Sequence, residues 1–299
     1  MAMTDTTTPN ASDVETILDS QRRDLGGFEV GRVLPSAKRR HVGPFVFVDQ
    51  MGPAILGAGK GLDVRPHPHI HLATVTYLYE GAIMHRDSVG SAGVITPGDV
   101  NWMHAGCGIV HSERSPNGTR EVDSPIYGIQ LWVALPTRAE ETDPTFQHHA
   151  KGTLPAHDEE GVALRLIAGD AYGKRAPVVT QSPLFCVDLV LAKGTAWPMP
   201  NEHEERCVYV ASGAIVAGGE RAETGRMLVF RPGAEIALRA EEDSRVMLLG
   251  GAPLDGPRYM WWNFVSSSKE RIEQAKSDWK NGRFPSVPGE GDEFIPLPE

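Results

Sequence analysis

Tyr77-Leu78-Tyr79-Glu80-Gly81-Ala82-Ile83 returns later in the chain as Tyr209-Val210-Ala211-Ser212-Gly213-Ala214-Ile215. In both segments a tyrosine leads strand-forming residues and Gly-Ala-Ile follows. Each is then followed by a Gly-rich hairpin, an apolar strand and a Pro-Gly turn, Pro97-Gly98-Asp99 in the first copy and Pro232-Gly233-Ala234 in the second. An ordered set of elements that recurs in this way points to two similar β-domains in tandem. The stretch from 136 to 160, with Pro136, Asp143-Pro144, a polar run and Pro155, reads as the link between them.

Working outward, Phe45-Val46-Phe47-Val48, Ala73 to Tyr79, Ile126 to Val133, Phe185 to Leu191 and Cys207 to Val210 read as strands, punctuated by many of the 32 glycines and 23 prolines. The expected class is all-β, a sandwich or barrel in each half. One helix is expected, over 268–280. Ser267 is its N-cap, with Glu270 completing a capping box; Ile272, Ala275 and Trp279 form its apolar face, and Gly282 ends it. It should pack on the barrel exterior. The Pro-rich tail after it, Phe284 to Glu299, should be extended and pinned by Phe284, Phe294 and Ile295. The expected organisation is a flexible segment 1–23, a first domain 24–145, and a second domain 146–299 that includes helix and tail.

The first copy carries chemistry. His67-Pro68-His69 and His111-Ser112-Glu113 each have i, i+2 spacing, which on a strand puts both side chains on one face. Two such pairs facing one another offer three imidazoles and a carboxylate to one metal ion. That donor set suits Fe(II), Mn(II), Ni(II), Cu(II) or Zn(II), and no cysteines are arranged as a zinc knuckle. Superposing Tyr77 on Tyr209 carries His67 onto Met199 and His69 onto Asn201. Superposing Pro97 on Pro232 carries His111 onto Val246 and Glu113 onto Leu248. The second copy keeps the scaffold and loses the ligands, so it should be structural. Imidazoles that ligate need acceptors for their other nitrogen, and Asp99 and Asn101 are the nearby polar candidates. His71, His104 and Cys107 are candidates for the pocket around the metal. Trp102 and Met103 read as core or pocket wall. Trp261 and Trp262, adjacent in a presumed strand, should face opposite ways, with at least one in the core.

The whole chain sets the bounds. It has 299 residues, 40% of them hydrophobic, and a formal net charge of -10. With a pI near 5.6 it lacks the basic surface that nucleic-acid binding requires. No apolar run approaches the length of a membrane span, and the Thr-, Asp- and Ser-rich start does not read as a signal peptide. Three scattered cysteines, Cys107, Cys186 and Cys207, fit reduced thiols in the cytoplasm. A monomer is expected.

The run His67-Pro68-His69-Ile70-His71-Leu72-Ala73-Thr74-Val75-Thr76-Tyr77 resembles the first signature of the pirin family, and Trp102 through Glu113 resembles the second. Glu80-Gly81, His85-Arg86-Asp87-Ser88, Pro97-Gly98-Asp99-Val100 and Trp262-Asn263-Phe264-Val265-Ser266 extend the likeness over roughly 24–285. The resemblance implies a bicupin: two tandem jelly-roll β-barrels face to face, with metal in the first alone. It implies iron, with Mn, Cu, Ni, Co or Zn as substitutes, held by His67, His69, His111 and Glu113. It also implies one of two functions. One is a dioxygenase that opens the ring of quercetin or a related aromatic compound with molecular oxygen, Glu113 acting as both ligand and catalytic base. The other is an iron-dependent regulatory protein that acts through protein partners without catalysis. This chain has His71, Ala73, His104 and Cys107 where the family usually has Gly, often Glu, often Thr and often Arg. Those departures bear on the substrate and leave the ligands intact.

Overall fold

The computed structural model describes residues 12–24 and 29–298. Each half is a barrel built from one large and one small antiparallel sheet. In the first half the large sheet runs, in spatial order, Thr145–His149, Val100–His104, Leu72–Glu80, Ser124–Ala134, Phe45–Leu56, Glu29–Leu34 and Gln21–Asp24. The small sheet runs Asp63–His69, Ile109–Arg114, Ile83–Asp87 and Ala92–Ile95. The second half repeats the plan. Arg226–Phe230, Glu205–Ser212, Ser244–Gly251, Leu184–Leu191 and Val162–Ala171 follow one another in its large sheet, and Ala196–Pro198, Ala237–Ala240, Ala214–Ala217 and Glu220–Glu223 form its small one. All five strands expected from sequence are present, each longer than its apolar core.

The repeated Gly-Ala-Ile has a steric cause. Gly81 and Gly213 end equivalent strands at φ +85° and +83°. A Cβ would lie 2.2 Å from the Pro125 carbonyl oxygen in the first case and 2.4 Å from that of Asp243 in the second. Only glycine fits a left-handed corner that close to a neighbouring strand.

The two large sheets pack face to face. One apolar cluster joins Val75, Tyr77, Ile129 and Leu131 of the first to Cys186, Cys207, Tyr209 and Met247 of the second. This burial explains why Leu72–Glu80 is apolar or hydroxylic almost throughout: one face of it meets the other barrel and the other lines its own interior. The interiors differ. Phe185, Met199, Val208, Phe230, Val246 and Leu248 fill the second barrel. Met199, Val246 and Leu248, the expected replacements for His67, His111 and Glu113, are therefore core.

Several expectations need correction. The segment 1–23 is not flexible throughout: Val14–Asp19 pairs with Arg226–Phe230 at the edge of the second barrel's sheet, and Gln21–Asp24 pairs with Glu29–Leu34. Residues 1–11 lie outside the described residues. Conversely Thr145–His149, in the link, closes the first barrel's sheet. The helix is Lys269–Lys280, and Ser268, not Ser267, caps it by accepting from the Arg271 N–H. Ser267 is occupied elsewhere: its N–H and hydroxyl both donate to Glu140. The helix lies against the first barrel, where Ile272 and Ala275 pack with Ile70 and Phe264. The tail is pinned there too, through Phe284 stacked on Phe264 and the Ile295 N–H donating to the Pro66 carbonyl. Phe294 touches the Trp279 ring but stays exposed. Trp262 sits at φ +50° in the turn between Tyr259–Trp261 and Phe264–Ser266, so the two tryptophans do not alternate along one strand, and both are half-buried.

Candidate metal centre

The strand Asp63–His69 runs antiparallel to Ile109–Arg114, with His111 directly opposite His67 and Ile109 opposite His69. The i, i+2 spacing therefore does what it predicts. The ring centroids of His67 and His111 are 4.4 Å apart, and each lies 5.0 Å from that of His69. One nitrogen from each ring falls within 4.8 Å of the other two, and all three residues are buried. His69 Nε2 and His111 Nε2 approach to 3.1 Å. Imidazoles bound to one ion at about 2.0–2.1 Å bring their nitrogens to about this spacing.

The outward nitrogens set the tautomers. His67 Nδ1 lies 2.9 Å from the Arg65 carbonyl and His69 Nδ1 lies 3.0 Å from the Asn263 carbonyl. A carbonyl only accepts, so each Nδ1 carries the proton and each Nε2 presents its lone pair inward, as a metal ligand must. The Arg65 carbonyl is free for this because the ladder bulges at Arg65-Pro66: two residues lie between Val64 and His67 while one lies between His111 and Glu113. His111 Nδ1 is buried without a partner. Burial pushes the His67 imidazole down to about 4, and it holds His69 and His111 well below the ordinary range, helped by their mutual repulsion. All three are neutral at pH 7. The described residues thus fit a metal ion.

Glu113 lines the same cavity but stands outside the three-imidazole group. Its Oε1 accepts from the Thr76 hydroxyl at 3.2 Å, and Thr76 Oγ1 lies 3.1 Å from the Gln130 side-chain amide. Gln130 presents its Oε1 to Thr76, so the single Thr76 proton faces two acceptors, Glu113 and Gln130, and serves one at a time. Burial raises the Glu113 carboxyl, with His85 and Thr76 opposing that shift.

The cavity around these groups measures about 610 Å³. One wall is a stack of flat groups. The Arg32 guanidinium lies 4.4 Å over Phe47, Phe47 stacks on Trp132 at 4.0 Å, and Trp132 meets the His69 ring edge-on at 5.2 Å. Asp49 fixes Arg32 by two hydrogen bonds of 2.8 Å. Met260, Trp262, Asn263 and Ile295 line the cavity from the C-terminal segment.

The three pocket candidates fall elsewhere. His71 adopts φ +57°, which turns it out of the strand alternation; it lies between Ser266 Oγ at 3.0 Å and Glu141 at 3.0 Å, with Glu140 at 3.3 Å. His104 bonds Thr142 Oγ1 at 2.8 Å. Cys107 is half-buried, and its carbonyl accepts from Arg271. None of the three lines the cavity. Nor do Asp99 and Asn101 support the ligands. Asp99 closes a turn onto Thr96 and Lys151, and Asn101 bonds His148. Trp102 is core between the sheets. The residues missed from sequence, Arg32, Phe47, Trp132 and Asn263, are neighbours only in space; Asn263 alone stood inside a quoted signature.

Comparison with known proteins agrees with this architecture. Residues 27–133 match the family model Pirin, and residues 186–285 match Pirin C-terminal cupin domain. A pirin-like protein of Caulobacter vibrioides is 53% identical over 289 residues, covering 96% of this chain and all of that one. A crystal structure of quercetin 2,3-dioxygenase from Acinetobacter baumannii superposes with a TM-score of 0.88 at 34% identity, covering 95% of both chains. A bacterial pirin from Escherichia coli in complex with nickel(II) shares the fold, with a TM-score of 0.64 at 19% identity over 80% of this chain and 99% of that one. Two face-to-face barrels, a three-histidine group that among the described residues occurs in the first alone, and matches across both halves make this chain a member of the pirin family.

Proposed function

We propose that the protein is an iron(II)-dependent dioxygenase that opens the ring of quercetin or a related aromatic compound. The observation that carries this reading is the convergence of three buried imidazole nitrogens in a cavity walled by flat aromatic groups. Its 610 Å³ lies within the range of about 300–1,000 Å³ typical of small-molecule sites. The structural likeness to a quercetin 2,3-dioxygenase supports the same class.

His67, His69 and His111 would hold the ion, with Glu113 as fourth donor. When bound, the metal supplies Lewis acidity toward the substrate oxygens and redox capacity toward O₂. The remaining work falls to the chain. Phe47 and Trp132 offer a flat surface along which a flavonol lies with its oxygens toward the histidines. Glu113 accepts the proton of the 3-hydroxyl; its raised carboxyl makes it a better base than an exposed glutamate. Thr76 and Gln130 steady it through the exchange. Arg32, held by Asp49, places a cation near the anion so formed. Met260, Trp262 and Ile295 keep bulk water from the cavity.

The test is aerobic turnover of quercetin by protein loaded in separate preparations with iron, manganese, cobalt, nickel or copper. Loss of the flavonol with release of carbon monoxide is expected for at least one metal. Silence with all five would sink the proposal.

A further inference from the structure

A second cavity of about 260 Å³ lies at the seam between the barrels, and the dioxygenase reading makes no use of it. Both halves build its wall: Tyr77 and Tyr79 come from the first large sheet, Arg165, Asp188 and Arg245 from the second, and Lys151 from the link. Strand alternation sends Tyr77 and Tyr79 to this face, while Thr76 between them and the metal cavity faces Glu113.

Donors exceed acceptors here. The Asp188 carboxylate is already occupied, accepting from the Tyr77 hydroxyl at 2.9 Å and from Arg245 at 3.0 and 3.3 Å. The Arg245 guanidinium lies 4.2 Å over the Tyr79 ring. The Tyr79 hydroxyl is buried and has no hydrogen-bond partner, in a residue only 8% exposed. Arg165 Nε is also buried and unpaired. Among the described residues, neither the Arg165 guanidinium nor the Lys151 ammonium has a side-chain hydrogen bond or a close ion pair, although Arg165 stands opposite Asp188 in the ladder and its charge acts on Asp188 and Tyr77. The stem of Lys151 lies across Gly98, where a Cβ would sit 2.8 Å from its Cδ, so the turn glycine lets the lysine reach the cavity. The second carboxylate in the wall, Asp158, is exposed, as is Lys151, so the wall holds Lys151, Arg165 and Arg245 against Asp158 and Asp188. Buried donors without acceptors are costly, and a surplus of cations beside them defines the missing partner as an anion.

We propose that this seam binds a small, multiply charged oxyanion, either phosphate or a compact polycarboxylate. Guanidinium forks and a tyrosine hydroxyl suit oxygen acceptors of that geometry. The volume lies just under the range of about 300–1,000 Å³ typical of drug-sized ligands and suits a compact anion.

Isothermal titration of the metal-loaded full-length protein with inorganic phosphate, and separately with citrate, at fixed ionic strength set by chloride, tests this. Saturable one-site binding is expected for at least one probe, and whichever binds identifies the source of the anion. Arg165→Gln should weaken it roughly tenfold or more, as loss of a charge-assisted donor does. Tyr79→Phe should weaken it several-fold. Lys151→Ala, at an exposed position that the fold does not depend on, should weaken it as well. No saturable heat with either probe overturns the proposal. So does an affinity that is unchanged in both Lys151→Ala and Arg165→Gln, which would place any bound anion elsewhere.

Discussion

Replacing Glu140 with glutamine should loosen the C-terminal wall of the metal cavity, although Glu140 itself does not line that cavity. Glu140 is buried and joins three parts of the chain. It accepts from the Ser267 N–H at 2.8 Å and from the Ser267 hydroxyl at 2.6 Å. It lies 3.3 Å from His71 and 3.2 Å from the Arg258 guanidinium, whose side chain is 3% exposed. These contacts tie the segment after residue 258 to the first barrel, and that segment supplies the Asn263 carbonyl that orients His69. Breaking a buried ion pair by removing one partner costs about 3–5 kcal/mol. Here Arg258 keeps its pairing with the half-exposed Asp255, and glutamine keeps one oxygen for Ser267, so about 2–3 kcal/mol is expected. For a chain of this size that lowers Tm by about 4–6 °C, read by thermal unfolding followed by circular dichroism. The pH dependence adds a second signature. Burial pushes the Glu140 carboxyl up, but the bonds from His71 and Ser267 outweigh it, so the folded protein holds this group below its ordinary value. A depressed folded pKa stabilises fully above the unfolded value and loses its effect as pH falls through the folded one. The gap between the wild type and Glu140→Gln should therefore be full at pH 7 and close in acid. A Tm within about 1 °C of the wild type at pH 7, equivalent to about 0.5 kcal/mol, would show that Glu140 does not hold the C-terminal segment to the first barrel.

Other expectations follow from the same geometry. Glu113→Gln should lower kcat for quercetin by about 10²–10⁴, the usual worth of a positioned base, measured by loss of flavonol absorbance; an unchanged kcat would remove Glu113 from the proton transfer. Trp132→Leu removes the ring between Phe47 and His69 and should raise KM several-fold, since an aromatic contact is worth about 0.5–1.5 kcal/mol; steady-state kinetics would show an unchanged KM if the substrate lies elsewhere. Of the three free cysteines, Cys186 and Cys207 are fully buried with thiols pushed up by burial, whereas Cys107 is half-buried. A thiol reagent should therefore label Cys107 alone in the folded protein and all three after unfolding, counted by mass spectrometry.

The sequence carried the parts of this account that depend on local pattern. Strand alternation put His67, His69 and His111 on one face, and the recurrence of Tyr77–Ile83 at Tyr209–Ile215 disclosed the second barrel. What it did not carry was long-range. His69 takes its acceptor from Asn263, 194 residues away, and no periodicity encodes such a contact. His71 continued the i, i+2 series and so was expected beside the metal, yet a single positive φ turned it toward Ser266. Ser267 and Ser268 are equally good caps in sequence; the choice fell to Ser268 because the buried Glu140 claims Ser267. The N-terminal segment looked unstructured because Val14–Asp19 is only partly apolar, and its partner strand lies some 200 residues on, at Arg226–Phe230.

The proposed function stands on three imidazoles of the first barrel, with none in the second, holding one metal ion. Elemental analysis of protein loaded anaerobically with iron(II) and freed of excess metal tests it most directly. One ion per chain is expected in the wild type and none in a correctly folded His69→Ala, His111→Ala double variant. A full equivalent of metal retained by that variant would contradict it.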